Sequence, residues 1–257
     1  MAGLLTGKVA AITGGVTGMG RAIALEYLRQ GASVTVNHLG DSQSRAHFKS
    51  MLEEAGKGAK LIDSSGDIGL KETGENLVND TVKRFGKLDV FVANAGVATM
   101  DDFITAPPET FEHHLHVNTR GTYYSTQAAA KQMVSQGKGG SIIGIASISA
   151  LVGGTQQVHY TPTKAAVLSM MQSQACALGK YGIRCNALLP GTTRTPMAAS
   201  DIEKPEKMAY LKERIPLGRV AEPEDMAGPA VFFASEMSRY CTGSQLLCDG
   251  GWYVHLQ

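Results

Sequence analysis

Tyr160 and Lys164 lie four residues apart at the start of an apolar, helix-like run. In a helix this spacing places both side chains on one face. A phenol has a pKa of about 10 in water and is a poor acid or base at neutral pH, but a neighbouring cation favours the phenolate and lowers that pKa. The pair therefore predicts a tyrosine that can carry a proton. An isolated Tyr-x-x-x-Lys is more often a half-buried ring beside a solvated lysine, so the interpretation depends on the rest of the chain.

A glycine-rich turn near the start of the chain has the surroundings that a dinucleotide site requires. Residues 8–13 are typical of a strand buried in a parallel sheet, and a helix pattern follows at 21–30. Glycines permit a tight turn and close backbone approach, and a helix N-terminus presents free N–H groups to a pyrophosphate. The spacing Gly14-x-x-x-Gly18-x-Gly20 differs from the commoner GxGxxG, and the alternative is a flexible turn. The flanking strand and helix favour the binding site.

The end of the predicted second strand, residues 33–37, bears on the choice of cofactor. An acidic residue there would bind the ribose 2′-hydroxyl of NAD, and a basic one the 2′-phosphate of NADP. This chain has Asn37 and His38 at that place, and Thr17 in the glycine turn is likewise not basic. Because the cues for either cofactor are missing, we predict that both NAD and NADP are used. His38 either meets a phosphate or is a surface histidine without a role.

Strand patterns alternate with helix patterns along the chain. Further strand patterns lie at residues 59–63, 88–93, 141–146, 183–189 and 245–248. The alternation predicts an α/β fold: a single Rossmann-type doubly wound parallel sheet of about seven strands, with helices on both faces. We expect one domain over residues 1–257, because no repeat, low-complexity segment or linker interrupts the chain.

Two segments outside the strands contain residues that need an explanation. A long helical pattern at 109–136 has Asn118 in its middle, where asparagine is unfavourable unless it is exposed or has a role. Residues 192–216 combine Thr, Pro, Met and charged residues with one helical piece. We interpret this second segment as a mobile flap over the substrate.

The composition excludes several classes of function. The chain has a formal net charge of +1 and no run of Lys or Arg, so neither nucleic acid nor an anionic membrane is an expected partner. No apolar run approaches the ~18 residues of a membrane span, and no signal-peptide pattern opens the sequence. The four cysteines lack metal-ligand spacing. We expect a soluble, cytoplasmic protein with reduced thiols, no metal and a small-molecule substrate.

Several motifs, in the order in which they occur, resemble those of the short-chain dehydrogenase/reductase family. The matching residues are Thr13-Gly14-Gly15-x-x-Gly18-x-Gly20, Asp67, Asn94-Ala95-Gly96, Asn118, Ser147, Tyr160-x-x-x-Lys164, Pro190-Gly191 and Thr195. Each motif alone could arise by chance, whereas the ordered set is specific. The resemblance covers essentially the whole chain.

The resemblance implies an NAD(P)-dependent oxidoreductase, with a lean to NAD, that transfers a hydride between a carbinol and nicotinamide. It makes Tyr160 the general acid/base and Lys164 the group that lowers the Tyr160 pKa and bonds the nicotinamide ribose. Ser147 would polarise the reacting oxygen, and Asn118 would hold a water in the proton relay. Asp67 would meet the adenine end. The implied cofactor-binding residues are Gly14, Thr17, Gly18, Met19, Gly20, Asn37, His38, Asp67, Ile68, Asn94, Ala95, Gly96, Tyr160, Lys164, Pro190, Gly191, Thr193 and Thr195.

Two local details bear on the catalytic residues. Ser147 and Ser149 both follow the predicted fifth strand, and the family's usual spacing to Tyr160 selects Ser147 as the catalytic hydroxyl and leaves Ser149 to line the pocket. Pro162 lies just after Tyr160, where the family more often has small residues. Because proline is tolerated only in the first turn of a helix, the helix either begins close to Val158 or is kinked beside the catalytic pair.

Within the family, residues 148–154, 159–165 and 175–187 are similar to a subfamily, the fungal L-rhamnose 1-dehydrogenases. These oxidise the anomeric hydroxyl of a free 6-deoxysugar to a lactone. The expected substrate-binding residues are Ser147, Ser149, Gln157, Tyr160 and Thr192, with further polar lining from Thr155, Gln156, Thr193 and Arg194.

Two other functions stay open. A 3-oxoacyl-[acyl-carrier-protein] reductase shares nearly every motif, but it needs an apolar slot and a basic patch for its acidic carrier, and no clear basic cluster is visible. A catalytically silent dinucleotide-binding sensor would not need the intact catalytic residues. By resemblance to the family we expect a homotetramer, with the helix that carries Asn118 and the C-terminal strand as contact surfaces.

Overall fold

The computed structural model describes residues 3–255 of the chain. In chain order its strands are β1 (Val9–Ile12), β2 (Ser33–His38), β3 (Leu61–Ser65), β4 (Val90–Ala93), β5 (Gly140–Ile145), β6 (Ile183–Pro190) and β7 (Gln245–Cys248). Within the described residues these seven strands form one parallel sheet in the order β3-β2-β1-β4-β5-β6-β7. The chain reverses its direction across the sheet between β1 and β4, which is the place where open sheets of this kind bind ligands.

Helices connect the strands and cover both faces of the sheet. They are α1 (Gly18–Arg29), α2 (Ser42–Ala55), α3 (Lys71–Phe85), α4 (Pro108–His114), α5 (Gly121–Gln136), α6 (Thr161–Leu178), α7 (Ala199–Ile202), α8 (Pro205–Arg214) and α9 (Ala227–Ala234). Short 3₁₀ turns lie at Ile148–Ala150, Gly179–Tyr181, Pro223–Met226 and Glu236–Ser238. None of the helices described between residues 3 and 255 has the length and apolar character that crossing a membrane requires.

The strands are mostly apolar because both faces of the sheet are covered. Ile12 of β1 belongs to a core beneath α1 and α9, whereas its neighbour Ala11 belongs to a second core beneath α3, α5 and α6. Successive residues of a strand point to opposite faces, so one short strand contributes to both cores. The predicted α/β fold, with a doubly wound parallel sheet, is confirmed.

Three predicted elements differ in detail. The third strand runs over Leu61–Ser65 and not over 59–63, because the Ala59 N–H still bonds the Gly56 carbonyl in the turn after α2. The predicted helix at 109–136 is divided by a π-helical turn, Leu115–Arg120, between α4 and α5. The fourth strand begins at Val90, two residues after the predicted start at residue 88.

The predicted flap contains two short helices, α7 and α8, in place of one. Together with the segment that follows, they enclose a small core of their own, formed by Ile202, Leu211, Ile215 and Val220, against which Trp252 packs. The flap therefore has internal packing and is more than a loop laid over the sheet.

Candidate active site

A cavity of about 910 Å³ lies at the carboxyl ends of the central strands. It brings together the predicted residues Met19, Asn94, Gly96, Ser147, Ser149, Gln157, Tyr160, Lys164, Pro190, Gly191, Thr192, Thr193 and Thr195, along with Thr155 and Gln156. The predicted residues outside its lining are Gly14, Thr17, Gly18, Gly20, Asn37, His38, Asp67, Ile68, Ala95 and Asn118. Arg194, expected to add to the lining, instead pairs with Glu222 at 3.0 Å.

The helix that carries the catalytic pair is not kinked. α6 begins at Thr161, so Pro162 occupies its first turn, where a missing N–H costs nothing. The Tyr160 N–H bonds the Gln157 carbonyl at 2.9 Å, which forms the turn that leads into the helix. Of the two sequence alternatives, the kink is therefore excluded, and the helix begins at Thr161, three residues after Val158.

Tyr160 and Lys164 are both buried at the floor of the cavity. Burial raises the pKa of the Tyr160 phenol to about 12, and a hydrogen bond with the Ser147 side chain partly offsets the rise. Burial lowers the pKa of the Lys164 ammonium to about 8, because a buried charge loses its hydration. In both cases the buried side chain favours its neutral form.

The expectation that Lys164 lowers the Tyr160 pKa is not met by this arrangement. The Lys164 ammonium donates to the Ile145 carbonyl at 3.0 Å and lies 5.7 Å from the centre of the Tyr160 ring. The loss of hydration at the phenol outweighs a cation at that distance. Ser147 is the side chain that directly favours the phenolate.

Asn118 lies fully buried in the π-helical turn. Its Oδ1 accepts from the Val97 N–H at 2.8 Å, and its Nδ2 donates to the Val97 carbonyl and to Thr163 Oγ1, each at 3.0 Å. Both amide protons are thus used in tying the segment after β4 to α6. π-Helical turns occur frequently at functional sites.

The glycine turn fits a dinucleotide. α1 begins at Gly18 after Thr17, whose side chain makes no capping hydrogen bond. The first N–H groups of α1 are therefore not bonded to this side chain and can bind a pyrophosphate. A Cβ on Gly20 would lie 2.3 Å from the Gly14 carbonyl oxygen, so only glycine permits this packing. Asn94 Nδ2 donates to the carbonyls of Thr13 and Gly14 at 3.0 Å and fastens the turn to β4.

Asn37 and His38 do not reach the cavity. Asn37 Nδ2 donates to the carbonyls of Ser64 and Gly66 between the ends of β2 and β3. The Gly40 N–H donates to His38 Nδ1 at 3.0 Å, so the ring proton is on Nε2, which donates to Asp63 at 3.0 Å.

His38 is therefore neither a surface histidine nor a free phosphate ligand. It is 4% exposed, and Phe48 of α2 stacks on its ring. The hydrogen bonds at both of its nitrogens explain why a polar ring is tolerated in this position. The sequence shows a histidine after an apolar strand, but only the pairing of β2 with β3 reveals Asp63 as its partner.

Asp67 is predicted to meet the adenine end of the cofactor. Its carboxylate accepts from the Gly69 N–H and from His116 Nε2, each at 2.9 Å. Burial pushes the Asp67 pKa upward, but these hydrogen bonds outweigh it and leave the pKa below its usual range. His116 was not among the predicted residues. It lies two residues before Asn118, in the same π-helical turn.

Four side chains of the cavity roof were likewise not among the predicted residues. We use cavity roof for Asp201, Lys207, Tyr210 and Trp252, which line the cavity from the flap and the C-terminal segment. The flap was recognised by composition, but nothing in its sequence shows which side chains point inward. Among residues 3–255, no His, Cys, Asp and Glu side chains are grouped as a metal site would require.

Comparisons with known proteins agree with this geometry. A family model described as enoyl-(acyl carrier protein) reductase matches residues 14–253. The chain is 57% identical to an L-rhamnose-1-dehydrogenase of Scheffersomyces stipitis over 258 residues, covering 100% of both proteins. It is 49% identical to an L-rhamnose 1-dehydrogenase (NAD(P)(+)) of Azotobacter vinelandii, covering 99% of this chain and 100% of the relative.

Solved structures extend the similarity to more distant proteins. A short-chain type dehydrogenase/reductase of Mycobacterium marinum superimposes with a TM-score of 0.90 at 33% identity, covering 96% of each chain. A gluconate 5-dehydrogenase of Burkholderia cenocepacia J2315, in complex with NADP and tartrate, has a TM-score of 0.90 at 26% identity, covering 97% of this chain and 96% of the other.

Proposed function

Because the chain belongs to the short-chain dehydrogenase/reductase family, we propose that it oxidises the C1 hydroxyl of L-rhamnose to the lactone with NAD or NADP. The observation that carries this proposal is the similarity to L-rhamnose 1-dehydrogenases over the full length of the chain. The compared length includes the segment between Ser147 and Tyr160 and the flap, where a substrate would be recognised.

The proposed proton chemistry uses residues at the cavity floor. When bound, the nicotinamide supplies the hydride acceptor, with the glycine turn and the start of α1 holding the pyrophosphate. Tyr160 takes the hydroxyl proton as the carbonyl of the lactone forms, and Ser147, already bonded to the phenol, orients the same oxygen. Lys164 holds the ribose. Asn118 holds the relay water.

We propose that the enzyme uses both NAD and NADP and that it prefers NAD. The side chains of Asn37 and His38 are engaged within the protein, so neither brings a carboxylate or a cation to the cofactor ribose. An enzyme without such a contact discriminates weakly between NAD and NADP. A difference of more than about 10³-fold between the kcat/KM for NAD and that for NADP would contradict the use of both cofactors.

Polar cavity walls support a sugar substrate. Ser149 and Gln157 form a pair, with the Ser149 hydroxyl 3.5 Å from Gln157 Oε1, and Thr192 lies across the cavity from them on the strand-to-flap connection. A free sugar presents several hydroxyls, and each one left unmatched in a closed site costs about 1 to 3 kcal/mol. An acyl thioester would leave these protein groups unpaired.

A substrate panel tests the proposal. Aldoses, polyols and an acetoacetyl thioester are each incubated with NAD(H) and with NADP(H), and the nicotinamide absorbance is followed. We expect L-rhamnose to be oxidised best, with L-lyxose and L-mannose next, and Gln157→Ala to raise the KM for L-rhamnose. Turnover of the acyl thioester alone would replace the sugar function with that of an acyl-carrier-protein reductase.

A homotetramer and a cytoplasmic location are proposed with this function. The helices on either side of the π-helical turn expose Phe111 and Tyr123, and the C-terminal segment exposes Val254, which supports burial against further copies. The four cysteines are free thiols, as in a reducing compartment. A monomer by light scattering at micromolar concentration, or an organelle-restricted fluorescent fusion, would contradict these proposals.

A further inference from the structure

The cavity roof contains an ion pair. Lys207 Nζ lies 3.6 Å from Asp201 Oδ2, and the two side chains are 35% and 25% exposed. Both residues line the same cavity as Ser147 and Tyr160. Apart from Lys164 at the floor, these are the charged side chains of the cavity lining within residues 3–255.

The pair is held by the small core of the flap. Asp201 immediately precedes Ile202, which is 2% exposed, and Lys207 lies one turn before Leu211, which is fully buried. Both anchor residues belong to the core against which Trp252 packs. The Lys207 ammonium also lies 5.8 Å from the centre of the Tyr210 ring. The charged groups thus face the cavity from a packed support.

We propose that Asp201 and Lys207 form a hydroxyl-binding subsite that recognises the ring hydroxyls of a neutral sugar away from the reacting carbon. This inference rests on the proposed sugar oxidation and extends it to the residues that select the sugar. Asp201 accepts from substrate hydroxyls, and Lys207 donates to a ring hydroxyl or the ring oxygen. Trp252 offers an apolar face to the C–H groups between them.

The chemistry of the pair favours a neutral polyol over the other ligand classes. A carboxylate only accepts hydrogen bonds and an ammonium only donates them, whereas a sugar hydroxyl does both. A sugar hydroxyl can therefore bond either the Asp201 carboxylate or the Lys207 ammonium. Hydrogen bonds to charged groups are stronger than neutral ones. An aldonate or a phosphate would meet the Asp201 carboxylate at the same place as the Lys207 ammonium. An acyl chain would remove water from both charges and offer no hydrogen bond in its place.

The test compares discrimination between sugars and not activity alone. The substrates are L-rhamnose and the 6-deoxy-L-hexoses inverted at C2, C3 or C4, which are 6-deoxy-L-glucose, 6-deoxy-L-altrose and 6-deoxy-L-talose. The variants are Asp201→Asn, which keeps the shape of the side chain, and Lys207→Met, which keeps most of its length. Glu203→Gln and Lys204→Met are matched controls, since both residues are exposed on the same flap and do not line the cavity.

The expected result is a loss of selectivity. The parent enzyme should prefer L-rhamnose to at least one epimer by about tenfold to a hundredfold in kcat/KM, the range for one mismatched hydroxyl. In Asp201→Asn and Lys207→Met that ratio should fall at least fivefold and the KM for L-rhamnose should rise, while kcat changes by less than about threefold. The two controls should keep the parent ratio.

Two outcomes would overturn the inference. If both variants lose activity on L-rhamnose and on every epimer by the same factor, the pair only supports the flap. If neither variant changes the ratio or the KM, the pair does not touch the sugar. Calorimetric binding of L-rhamnose to the enzyme with NADH separates this failure from that of the proposed function. If L-rhamnose binds, Asp201→Asn weakens that binding and no turnover is seen, only the proposed oxidation is contradicted. If the parent enzyme oxidises L-rhamnose and both variants bind it as tightly as the parent, only the subsite is contradicted.

Discussion

At the glycine turn, where β1, α1 and β2 meet beside the cavity, the contacts that define the local shape run through the backbone, whereas at the flap they run through side chains. The Gly15 N–H bonds the Asn37 carbonyl at 2.9 Å, and α1 packs on the turn so closely that Gly20 has no room for a Cβ. The flap, residues 192–216, is instead held by four buried aliphatic side chains and presents an ion pair to the cavity.

This difference follows from what each side must recognise. A dinucleotide presents the same pyrophosphate in every reaction, and backbone N–H groups can bind it whatever side chains surround them. A substrate differs from enzyme to enzyme in its hydroxyls and its shape, and only side chains can be exchanged to match it. Substitutions on the two sides should therefore separate cofactor affinity from substrate KM.

The largest effect is expected where the two sides meet, at Tyr160. Tyr160→Phe removes the proton acceptor but keeps the packed ring, so turnover should fall by about 10²- to 10⁴-fold. Cofactor affinity should stay nearly unchanged, as measured by the fluorescence of Trp252, the single tryptophan of the chain, which lines the cavity. The control is Tyr181→Phe at an exposed tyrosine. Near-normal turnover in Tyr160→Phe would refute the assignment.

The pH profile supplies a second measurement of the same group. Only deprotonated Tyr160 can accept the proton, and burial raises its pKa to about 12, so oxidation by the parent enzyme should become faster as pH rises. A flat profile from neutral to mildly alkaline pH would contradict this role.

Next in size is a change confined to the glycine-turn side. Gly20→Ala places a Cβ 2.3 Å from the Gly14 carbonyl oxygen, so the helix must shift from the turn. Overpacking of this kind costs about 1 to 3 kcal/mol, and we expect the Kd for NAD to rise by roughly 5- to 150-fold with little change in the KM for sugar.

Gly228→Ala is the matched control, because Gly228 lies in α9 with open space at its Cβ position. There alanine should leave Kd unchanged and hold or raise the melting temperature. If Gly20→Ala raised the KM for sugar as much as the Kd for NAD, substitutions could not separate cofactor affinity from substrate KM.

The smallest effect is expected from loosening the flap. Leu211 is fully buried in the flap core, and Leu211→Ala should cost about 2 to 5 kcal/mol within that core. Because the sheet does not depend on these side chains, we expect the KM for sugar to rise by about three- to tenfold while cofactor affinity stays constant. Leu217→Ala, at a leucine that is 70% exposed, is the control. Equal losses in KM and in cofactor Kd would show that the flap is not an independent unit.

Residues close together in sequence were predicted well, because local rules decide them. The strand before the glycine turn and the helix after it follow from an apolar run and from glycine, and the structure has both. Pro162 left two alternatives for α6, and the structure excludes the kink. The third strand was predicted two residues too early. The turn after α2, in which the Ala59 N–H bonds the Gly56 carbonyl, extends further than the apolar pattern shows.

The sequence by itself determined the order of the elements, the parallel sheet and the residue types of the catalytic set, since periodicity and turn chemistry act over a few residues. Only the tertiary structure decided what lies beside those residues. It buried Tyr160 and Lys164, so that loss of hydration controls both pKa values, and it paired His38 with Asp63 across two strands. It also turned Asp201 and Lys207 into the cavity. Burial, pairing and side-chain direction depend on contacts between segments that are distant in sequence, and no local pattern encodes them.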